Sequence, residues 1–262
     1  MDFLFNVAII VCGWSFASTF TSPAYGFAIG VILGGLVQVL FQVPFLRKYG
    51  IPFQMRVSFI DPRVRMVFRL MVPGLFAVGV TQINIMIATR ILTGLQEGAP
   101  AAMYYANRLN ELALGIFTIS VATVILPLLS RQAAARDMQG MGNSLGFAIR
   151  VIMFITIPAA VGLIVLREPI ISVLFQRGAF TAESLALTAE PLIYLSLGLV
   201  AFSMIRVIAP AFYALKKMKV PVIISAIDVA VNITLALILS RFMGIGGVAL
   251  AVTCGATVNV AL

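Results

Sequence analysis

Charged side chains are scarce in this chain. Only 10% of its 262 residues are Asp, Glu, Lys or Arg, whereas 61% are hydrophobic and the mean hydropathy is +1.10. A water-soluble domain of this length needs far more polar surface to stay dispersed. The shortage of charge therefore excludes an ordinary soluble domain and indicates an integral membrane protein.

Histidine is absent, and cysteine occurs only at Cys12 and Cys254. Histidine is the commonest metal ligand and the side chain that changes charge near neutral pH, so its absence removes the usual basis of metal and proton-transfer sites. Both cysteines lie within apolar runs, where a packing role is favoured over a disulfide or a metal pair. The sequence therefore predicts no metal centre.

Catalytic motifs are missing as well. The chain has no nucleophile elbow, no phosphate-binding loop and no zinc-protease helix motif, and its nine acidic residues are spread thinly. A hydrolase working within the bilayer needs paired acids or an activated nucleophile, and neither stands out. We therefore expect a protein that is not an enzyme and carries no organic cofactor.

Long apolar runs dominate what is present. A membrane-spanning helix needs about 20 mainly apolar residues, and about eight stretches qualify or nearly do so. The runs lack the ten-residue alternating pattern of barrel strands, so the predicted fold class is an all-α polytopic membrane protein. The predicted spans, numbered I to VIII, are Phe3–Phe20, Ala24–Leu46, Leu70–Ala88, Ala102–Leu129, Leu145–Leu166, Leu192–Leu215, Val220–Leu239 and Ile245–Leu262.

The basic residues that give the chain its net charge of +9 are distributed unevenly, and their distribution indicates the membrane topology. With the N-terminus in the cytoplasm, most basic residues fall in or beside the loops after spans II, IV and VI, which matches the positive-inside rule. No basic platform interleaved with aromatic residues is present, so we predict no nucleic-acid partner. Some affinity for anionic lipid headgroups fits the same charges.

Two polar connections carry helix-start signals. Asp61 followed by Pro62 is a good N-cap and first-turn pair, so a helix is predicted to start there and to continue into span III. Between spans V and VI, Gly178 is predicted to break the chain and Thr181 to cap the next helix. Clusters of glycine, such as Gly30 and Gly34 in span II, predict close helix packing.

Arg108 and Glu111 stand at the head of span IV in "YYANRLNELALGIF". At i and i+3 they share one helix face, where they can partly neutralise each other and leave guanidinium donors free for a ligand. Arginine suits the planar recognition of phosphate or carboxylate. A salt bridge that merely anchors the helix at the membrane interface is the alternative, and the two residues alone do not decide between them.

Four other polar positions are candidates for a site. Arg90, at the end of span III, either joins Arg108 in attracting an anion or extends to the interface. Arg206 lies deep in span VI, which favours a role facing a cavity. Asp228 and Asn232, at i and i+4 in span VII, are either a possible site for a coupling cation, Na⁺ or H⁺, or a buried hydrogen-bonded pair.

Three sequence blocks resemble one known family. "MYYANRLNELALGIFTISVATVILPLLSR", "EPIISVLFQRGAFT" and "VIAPAFYALKKMKVPV" look like three ordered blocks of the MurJ/MviN family of lipid II flippases, within the multidrug and polysaccharide (MOP) exporter superfamily. The resemblance extends over nearly the whole chain. It implies a family fold of two six-helix lobes around a central cavity.

The resemblance also implies a domain assignment. Residues 1–48 resemble the last two helices of the N-lobe, residues 49–65 a cytoplasmic linker, and residues 66–262 the six-helix C-lobe. The first four family helices and the C-terminal helices have no counterpart here, so we expect a partial chain that does not transport by itself. Arg108 and Glu111 match the family motif, and the resemblance assigns them to substrate binding.

The implied function is lipid II translocation by alternating access. The undecaprenyl-diphosphate-linked peptidoglycan precursor would cross from the cytoplasmic to the periplasmic leaflet of the bacterial inner membrane, for cell wall synthesis. Membrane lipids and the cell wall synthesis and division machinery are further expected partners. The alternatives are a related exporter of another lipid-linked oligosaccharide or of drugs, and a membrane scaffold that transports nothing.

Overall fold

The computed structural model describes residues 2–16, 20, 24–48, 79, 82–215, 217 and 219–262, and these residues contain helices and no strands. They belong to two compact units, Met1–Phe68 and Arg69–Leu262. The predicted all-α class is confirmed. The predicted helix start at Asp61 and Pro62 lies outside the described residues.

The first unit contains two helices that pack against each other, α1 (Asp2–Ser15) and α2 (Ala24–Lys48). Glycines on α2 permit the close approach. A Cβ at Gly30 would lie 2.8 Å from the Ile9 Cα, and one at Gly34 would lie 3.0 Å from a ring carbon of Phe5. The predicted packing role of these glycines is therefore confirmed, and buried Cys12 fills the same interface as a small side chain.

The second unit contains the remaining helices of the described chain. Its centre is α4, which packs on α5, α7 and α8, while α9 packs on α7 and α8. In chain order the helices are α3 (82–93), α4 (Ala99–Ala134), α5 (Met138–Val165), α6 (Arg167–Phe175), α7 (Ala182–Leu197), α8 (Leu199–Ala214) and α9 (Lys219–Ala261).

Helix starts in this unit follow local sequence signals. Thr181 caps α7 by accepting a hydrogen bond from the Ser184 amide at 3.3 Å, after Gly178 turns the chain with φ 59°. Both features were predicted from the sequence. Asp137 caps α5 in the same way, accepting from the Gly140 amide at 2.8 Å, which satisfies a donor that the helix itself leaves unpaired.

The described helices differ from the eight predicted spans in how they are divided. In the described part of the chain, three helices are long and apolar enough to cross a membrane: Ala24–Leu46, Met138–Val165 and Lys219–Ala261. Two pairs of consecutive helical segments, each bent at a short break, bring the total to five if each pair counts as one span. The helix α9 joins predicted spans VII and VIII across a break at Gly244, whose φ of 56° and ψ of −129° are not helical. The boundary predicted between them is therefore present as a sharp break.

Predicted span VI, Leu192–Leu215, is not one straight helix. The chain bends by 47° between α7 and α8, at Gly198, and the helical segment begins earlier than predicted, at Ala182. The cause is a close approach of α9, because Thr253 Oγ1 donates to the Tyr194 carbonyl at 2.7 Å and would lie 2.5 Å from a Cβ at position 198. The span prediction is corrected accordingly.

Large apolar side chains cover much of the outer surface of the second unit. Phe154, Val173 and Phe242 are each more than 80% exposed, at 82%, 83% and 81%. Soluble monomers rarely expose contiguous apolar surface on this scale, whereas a lipid-facing surface requires it. The fold therefore agrees with the membrane class that the composition predicted.

Candidate functional site in the second unit

Arg108 and Glu111 form an ion pair on one face of α4. The Arg108 Nη1 lies 3.0 Å from the Glu111 Oε2, and the two side chains are 56% and 46% exposed. A second guanidinium nitrogen, Nη2, donates to the Tyr104 hydroxyl at 2.8 Å, and the guanidinium carbon lies 4.9 Å from the centre of the Tyr104 ring. Two partners on the same helix thus hold the arginine in one orientation, and Tyr104 was not predicted.

An aromatic cluster anchors the part of α4 that carries this pair. The Tyr105 ring lies 4.8 Å from that of Phe175 in α6 and 5.4 Å from that of Phe180, centre to centre. Edge-on and tilted contacts of this kind are favourable beyond the area that they bury. The aromatic cluster therefore fixes α4 against α6 next to Arg108.

A cavity of about 230 Å³ opens between α4, α8 and α9, and we call it the α4–α8 cavity. Glu111 and Arg206, both predicted as site residues, line it together. Arg206 is exposed and makes no hydrogen bond or ion pair with any residue that the structure describes. The full lining is Asn107, Asn110, Glu111, Leu114, Phe202, Ile205, Arg206 and Val252.

Buried contacts behind the cavity hold α4 and α8 together. Thr118 Oγ1 and Ser203 Oγ form a hydrogen bond of 3.0 Å, and both residues are fully buried. Leu114, which lines the cavity, packs in a core cluster with Leu199 and Phe202. The spacing of the two helices is therefore fixed by packing and not by the charged groups at the cavity.

Asn110 is a cavity residue that sequence reasoning missed. It is 2% exposed, and its Oδ1 has no hydrogen-bond partner among the described residues. A sequence signal existed, because Asn107, Asn110, Glu111 and Leu114 fall at i, i+3, i+4 and i+7, which is one face of a helix. Two amides and a carboxylate on one face of an apolar helix indicate a polar lining.

Arg90 does not line the α4–α8 cavity. It lies on α3 and is exposed, and its backbone carbonyl accepts a hydrogen bond from Thr93 Oγ1 at 2.9 Å. The structure therefore does not bring Arg90 together with Arg206 and Glu111. A role for Arg90 in substrate binding stays a prediction.

Asp228 and Asn232 lie in a second polar site, the α9 polar cluster, which also contains Asn259. The Asn259 Nδ2 donates to the Asp228 Oδ2 at 3.0 Å across the two halves of α9. Asn232 is 4% exposed and lies beside Gly255, where a Cβ would collide with the Asp228 carboxylate. The hydrogen bond predicted between Asp228 and Asn232 is not observed, because Asp228 accepts from Asn259 instead. A cation site at Asp228 and Asn232 stays a prediction.

The α9 polar cluster partly fits a hard cation. Its carboxylate and amide oxygens are the donors that Na⁺ accepts, but the Asn259 amide presents its N–H to the carboxylate in this structure. A bound cation would require that amide to turn over. Groups of three or more His, Cys, Asp or Glu that could hold a metal are absent among the described residues.

Comparison with a family model gives a match along almost the whole chain. The model described as "Lipid II flippase MurJ" matches residues 2–262. A relative from Vibrio cholerae, named "Probable lipid II flippase MurJ", is 41% identical over 257 residues, which cover 98% of this chain and 49% of the relative. The chain thus spans about half the length of the curated relatives that it matches.

Solved structures with the same fold include one flippase and several drug transporters. "Lipid II flippase MurJ, inward closed conformation" matches with a TM-score of 0.79 and 29% identity, over 98% of this chain and 53% of that one. An inward-facing multidrug transporter of the MATE family, within the MOP superfamily, matches with a TM-score of 0.75, 16% identity, and coverage of 98% and 60%. The second likeness concerns the fold alone.

Proposed function

This chain belongs to the MurJ family of lipid II flippases, and we propose that it supplies the α4–α8 cavity of such a flippase. Its activity is the translocation of undecaprenyl-diphosphate-linked peptidoglycan precursor from the cytoplasmic to the periplasmic leaflet. The chain is a multi-pass protein of the inner membrane, and its apolar helices and its likeness to a solved flippase support this. The observation that carries the proposal is the cavity lined by both Arg206 and Glu111, the residue that forms the ion pair with Arg108.

Arg206 is the residue best suited to attract the diphosphate. A guanidinium that borders an apolar span without a counter-charge is costly unless it faces water or an anion. Arg206 has no acidic partner in the described residues and lines a cavity that also contains the apolar side chains of Leu114 and Phe202. Low-polarity surroundings strengthen the hydrogen bonds that a guanidinium makes to phosphate oxygens.

The Arg108–Glu111 pair provides a way to release the diphosphate. A phosphate oxygen and the Glu111 carboxylate compete for the same Arg108 nitrogen, which now lies 3.0 Å from Glu111. When the diphosphate is bound, the Arg108 side chain turns toward it. When the cavity opens to the other side, the ion pair between Arg108 and Glu111 forms again and the diphosphate is released. Tyr104 limits this movement because it holds the other guanidinium nitrogen.

No covalent step is part of this mechanism. The headgroup crosses within the protein while the polyprenyl tail stays in lipid, alongside exposed apolar side chains such as Val173. Alternating access opens the cavity first to the cytoplasm and then to the periplasm. The domain assignment belongs to the same proposal, with residues 1–48 in the N-lobe, 49–65 as linker and 66–262 as C-lobe.

Asp228 and Asn232 are proposed as the place where a coupling cation acts. Binding of Na⁺ or H⁺ at Asp228 would weaken the hydrogen bond from Asn259, which connects the two halves of α9. Other proposed partners are membrane lipids, which contact the apolar surface, and the cell wall synthesis and division machinery, which uses the translocated precursor. Arg90 is retained as a further substrate-binding residue.

A chimeric protein tests the proposed function. The segment of the Vibrio cholerae relative that aligns with this chain is replaced by it, and the chimera is expressed in cells depleted of their own lipid II flippase. We expect growth with the unsubstituted chimera and loss of growth with Arg108→Gln or Arg206→Gln, because each removes a phosphate-binding cation.

A matched control separates this effect from general damage. Arg167 pairs with Glu168 at 3.4 Å on another helix and lies outside the cavity, so Arg167→Gln should leave growth unchanged. Equal amounts of each chimera in the membrane must be verified by immunoblot. Growth of the Arg108→Gln and Arg206→Gln chimeras at the control rate would contradict the proposal.

A further inference from the structure

Asn110 differs from every other polar residue of the α4–α8 cavity because it is both buried and unpaired. It is 2% exposed and its Oδ1 has no hydrogen-bond partner in the described chain, whereas Asn107, Glu111 and Arg206 are exposed. Buried polar atoms in native proteins are nearly always hydrogen-bonded. An exception at the wall of a cavity therefore needs a reason.

The other buried unpaired oxygens have different surroundings. Gln132 leaves Oε1 unpaired but donates through Nε2 to Ser144 Oγ at 2.9 Å, so half of its amide is satisfied. Ser196 Oγ is enclosed within α7, and neither residue lines this cavity. Of these three residues, only Asn110 lines the cavity, and a turn of its side-chain amide would present Oδ1 to an incoming molecule.

The chemistry of the unpaired atom determines what can satisfy it. An amide oxygen is an acceptor and needs a donor, whereas an ionised diphosphate offers acceptors only. The diphosphate that Arg206 attracts can accept from the Asn110 Nδ2 but cannot pair with the Oδ1 of the same amide. A sugar hydroxyl or the N–H of an acetamido group can do so, and either would lie next to the diphosphate in a lipid-linked saccharide.

The size of the cavity agrees with a single sugar ring. Its volume of about 230 Å³ is below the range of roughly 300–1,000 Å³ that holds a whole drug-sized ligand. Its lining combines polar groups from one face of α4 with apolar side chains such as Leu114 and Val252. A ring with polar edges and apolar faces matches that combination.

We propose that Asn110 is a specificity residue, which accepts a hydrogen bond from the sugar that adjoins the diphosphate and so distinguishes glycosylated from bare polyprenyl diphosphate. The inference rests on the proposed function, since it assumes that a lipid-linked headgroup enters the cavity. It adds the residue that recognises the sugar, as distinct from the arginines that recognise the charge.

The stability of the ligand-free chain gives an independent consequence. Replacing an unpaired buried amide by an apolar group of similar size removes a desolvation cost and is nearly neutral or stabilising. Asn110→Leu should therefore keep or raise the thermal unfolding midpoint of the chain. If Asn110 serves packing or an internal hydrogen bond instead, the same substitution lowers that midpoint.

Binding measurements on the purified chain in nanodiscs test the proposal. The probes are lipid II, undecaprenyl diphosphate without sugar, and undecaprenol without phosphate. We expect Asn110→Leu to weaken lipid II binding by about 3- to 12-fold, the equivalent of one hydrogen bond, and to leave undecaprenyl diphosphate binding unchanged. Thr118→Val is the matched control, since it removes a buried hydrogen bond of the α4–α8 interface outside the cavity and should lower stability without changing the preference between the lipids.

The outcomes separate the two proposals. Equal weakening of both diphosphate lipids by Asn110→Leu, unchanged lipid II binding, or a lowered unfolding midpoint would each overturn the role of Asn110 while the flippase proposal stands. If the wild-type chain binds lipid II and undecaprenyl diphosphate no better than undecaprenol, the proposed function fails, and the role of Asn110 fails with it.

Discussion

The α4–α8 cavity and the α9 polar cluster use the same kinds of side chain in opposite ways. In the α9 polar cluster the Asp228 carboxylate is paired with Asn259 at 3.0 Å and enclosed against Gly255. In the cavity the guanidinium of Arg206 has no partner in the described chain, and the buried oxygen of Asn110 is also unpaired. Polar residues within apolar helices thus either bond to each other, as Asp228 does to Asn259, or line a cavity without a protein partner, as Arg206 does.

This difference distinguishes polar residues that stabilise the fold from polar residues that bind a ligand. The satisfied contact between Asp228 and Asn259 lies outside the α4–α8 cavity, so its disturbance should destabilise the fold and leave diphosphate binding alone. Unpaired groups are a cost to the fold, so their removal should affect binding more than stability. The following substitutions test this division, beginning with the largest expected effect.

Charge reversal at Arg206 should have the largest effect. Arg206→Glu removes a charge-assisted contact and adds repulsion, so binding of undecaprenyl diphosphate to the chain in nanodiscs should fall by about 100-fold or more. Arg241→Glu, on α9 and outside the cavity lining, should change it little. Comparable losses for both variants would mean that overall charge, and not the cavity, determines binding.

Enlarging Gly255 should damage the α9 polar cluster. Gly255→Ala places a methyl group against the Asp228 carboxylate and should destabilise the chain by about 1–3 kcal/mol, measured by thermal unfolding in detergent. Gly162→Ala in α5 is the control, since no atom lies within 4 Å of its Cβ position, and it should be neutral or stabilising. If Gly255→Ala weakens undecaprenyl diphosphate binding without lowering stability, the closed character of the cluster is wrong.

Removing the Tyr104 hydroxyl should have a moderate effect on binding. Tyr104→Phe abolishes the 2.8 Å hydrogen bond to Arg108 but keeps the aromatic ring beside the guanidinium. Binding of undecaprenyl diphosphate should weaken by about 2- to 10-fold, because Arg108 is less well oriented. Isothermal titration measures the change, and an unaltered dissociation constant would show that Tyr104 does not orient the arginine.

Sodium dependence should be the smallest effect. If the α9 polar cluster binds Na⁺, replacing choline in the buffer by Na⁺ at about five times the Na⁺ Kd should stabilise the chain by about 1 kcal/mol. That stabilisation raises the unfolding midpoint by about 2–4 °C. Asp228→Asn should abolish the shift. A shift that persists in Asp228→Asn would remove the cluster as the cation site.

Local sequence signals predicted the features that depend on neighbouring residues. The cap at Thr181 and the turn at Gly178 each follow from the conformational preferences of one or two residues. The boundary between spans VII and VIII was predicted from the apolar runs, and the structure places its break at Gly244. The ion pair of Arg108 and Glu111 follows from helix spacing alone. Membrane class followed from composition, because lipid imposes apolar surface on every spanning helix.

Features that depend on distant parts of the chain were not predictable in this way. The bend at Gly198 arises because Thr253, from another helix, approaches the Tyr194 carbonyl. The meeting of Arg206 with Glu111 requires the packing of α8 on α4, which no local pattern specifies. Asn110 was not predicted for a different reason: it is uncharged, and ionisable residues within apolar spans are the signal that marks a site in such a sequence.

The central claim is that the α4–α8 cavity binds the diphosphate headgroup, and a structure of the chain with bound undecaprenyl diphosphate tests it most directly. We predict phosphate density within about 3 Å of the Arg206 guanidinium, with Arg108 turned from Glu111 toward it. Phosphate bound elsewhere, with the cavity holding only water and the Arg108–Glu111 pair intact, would contradict the account.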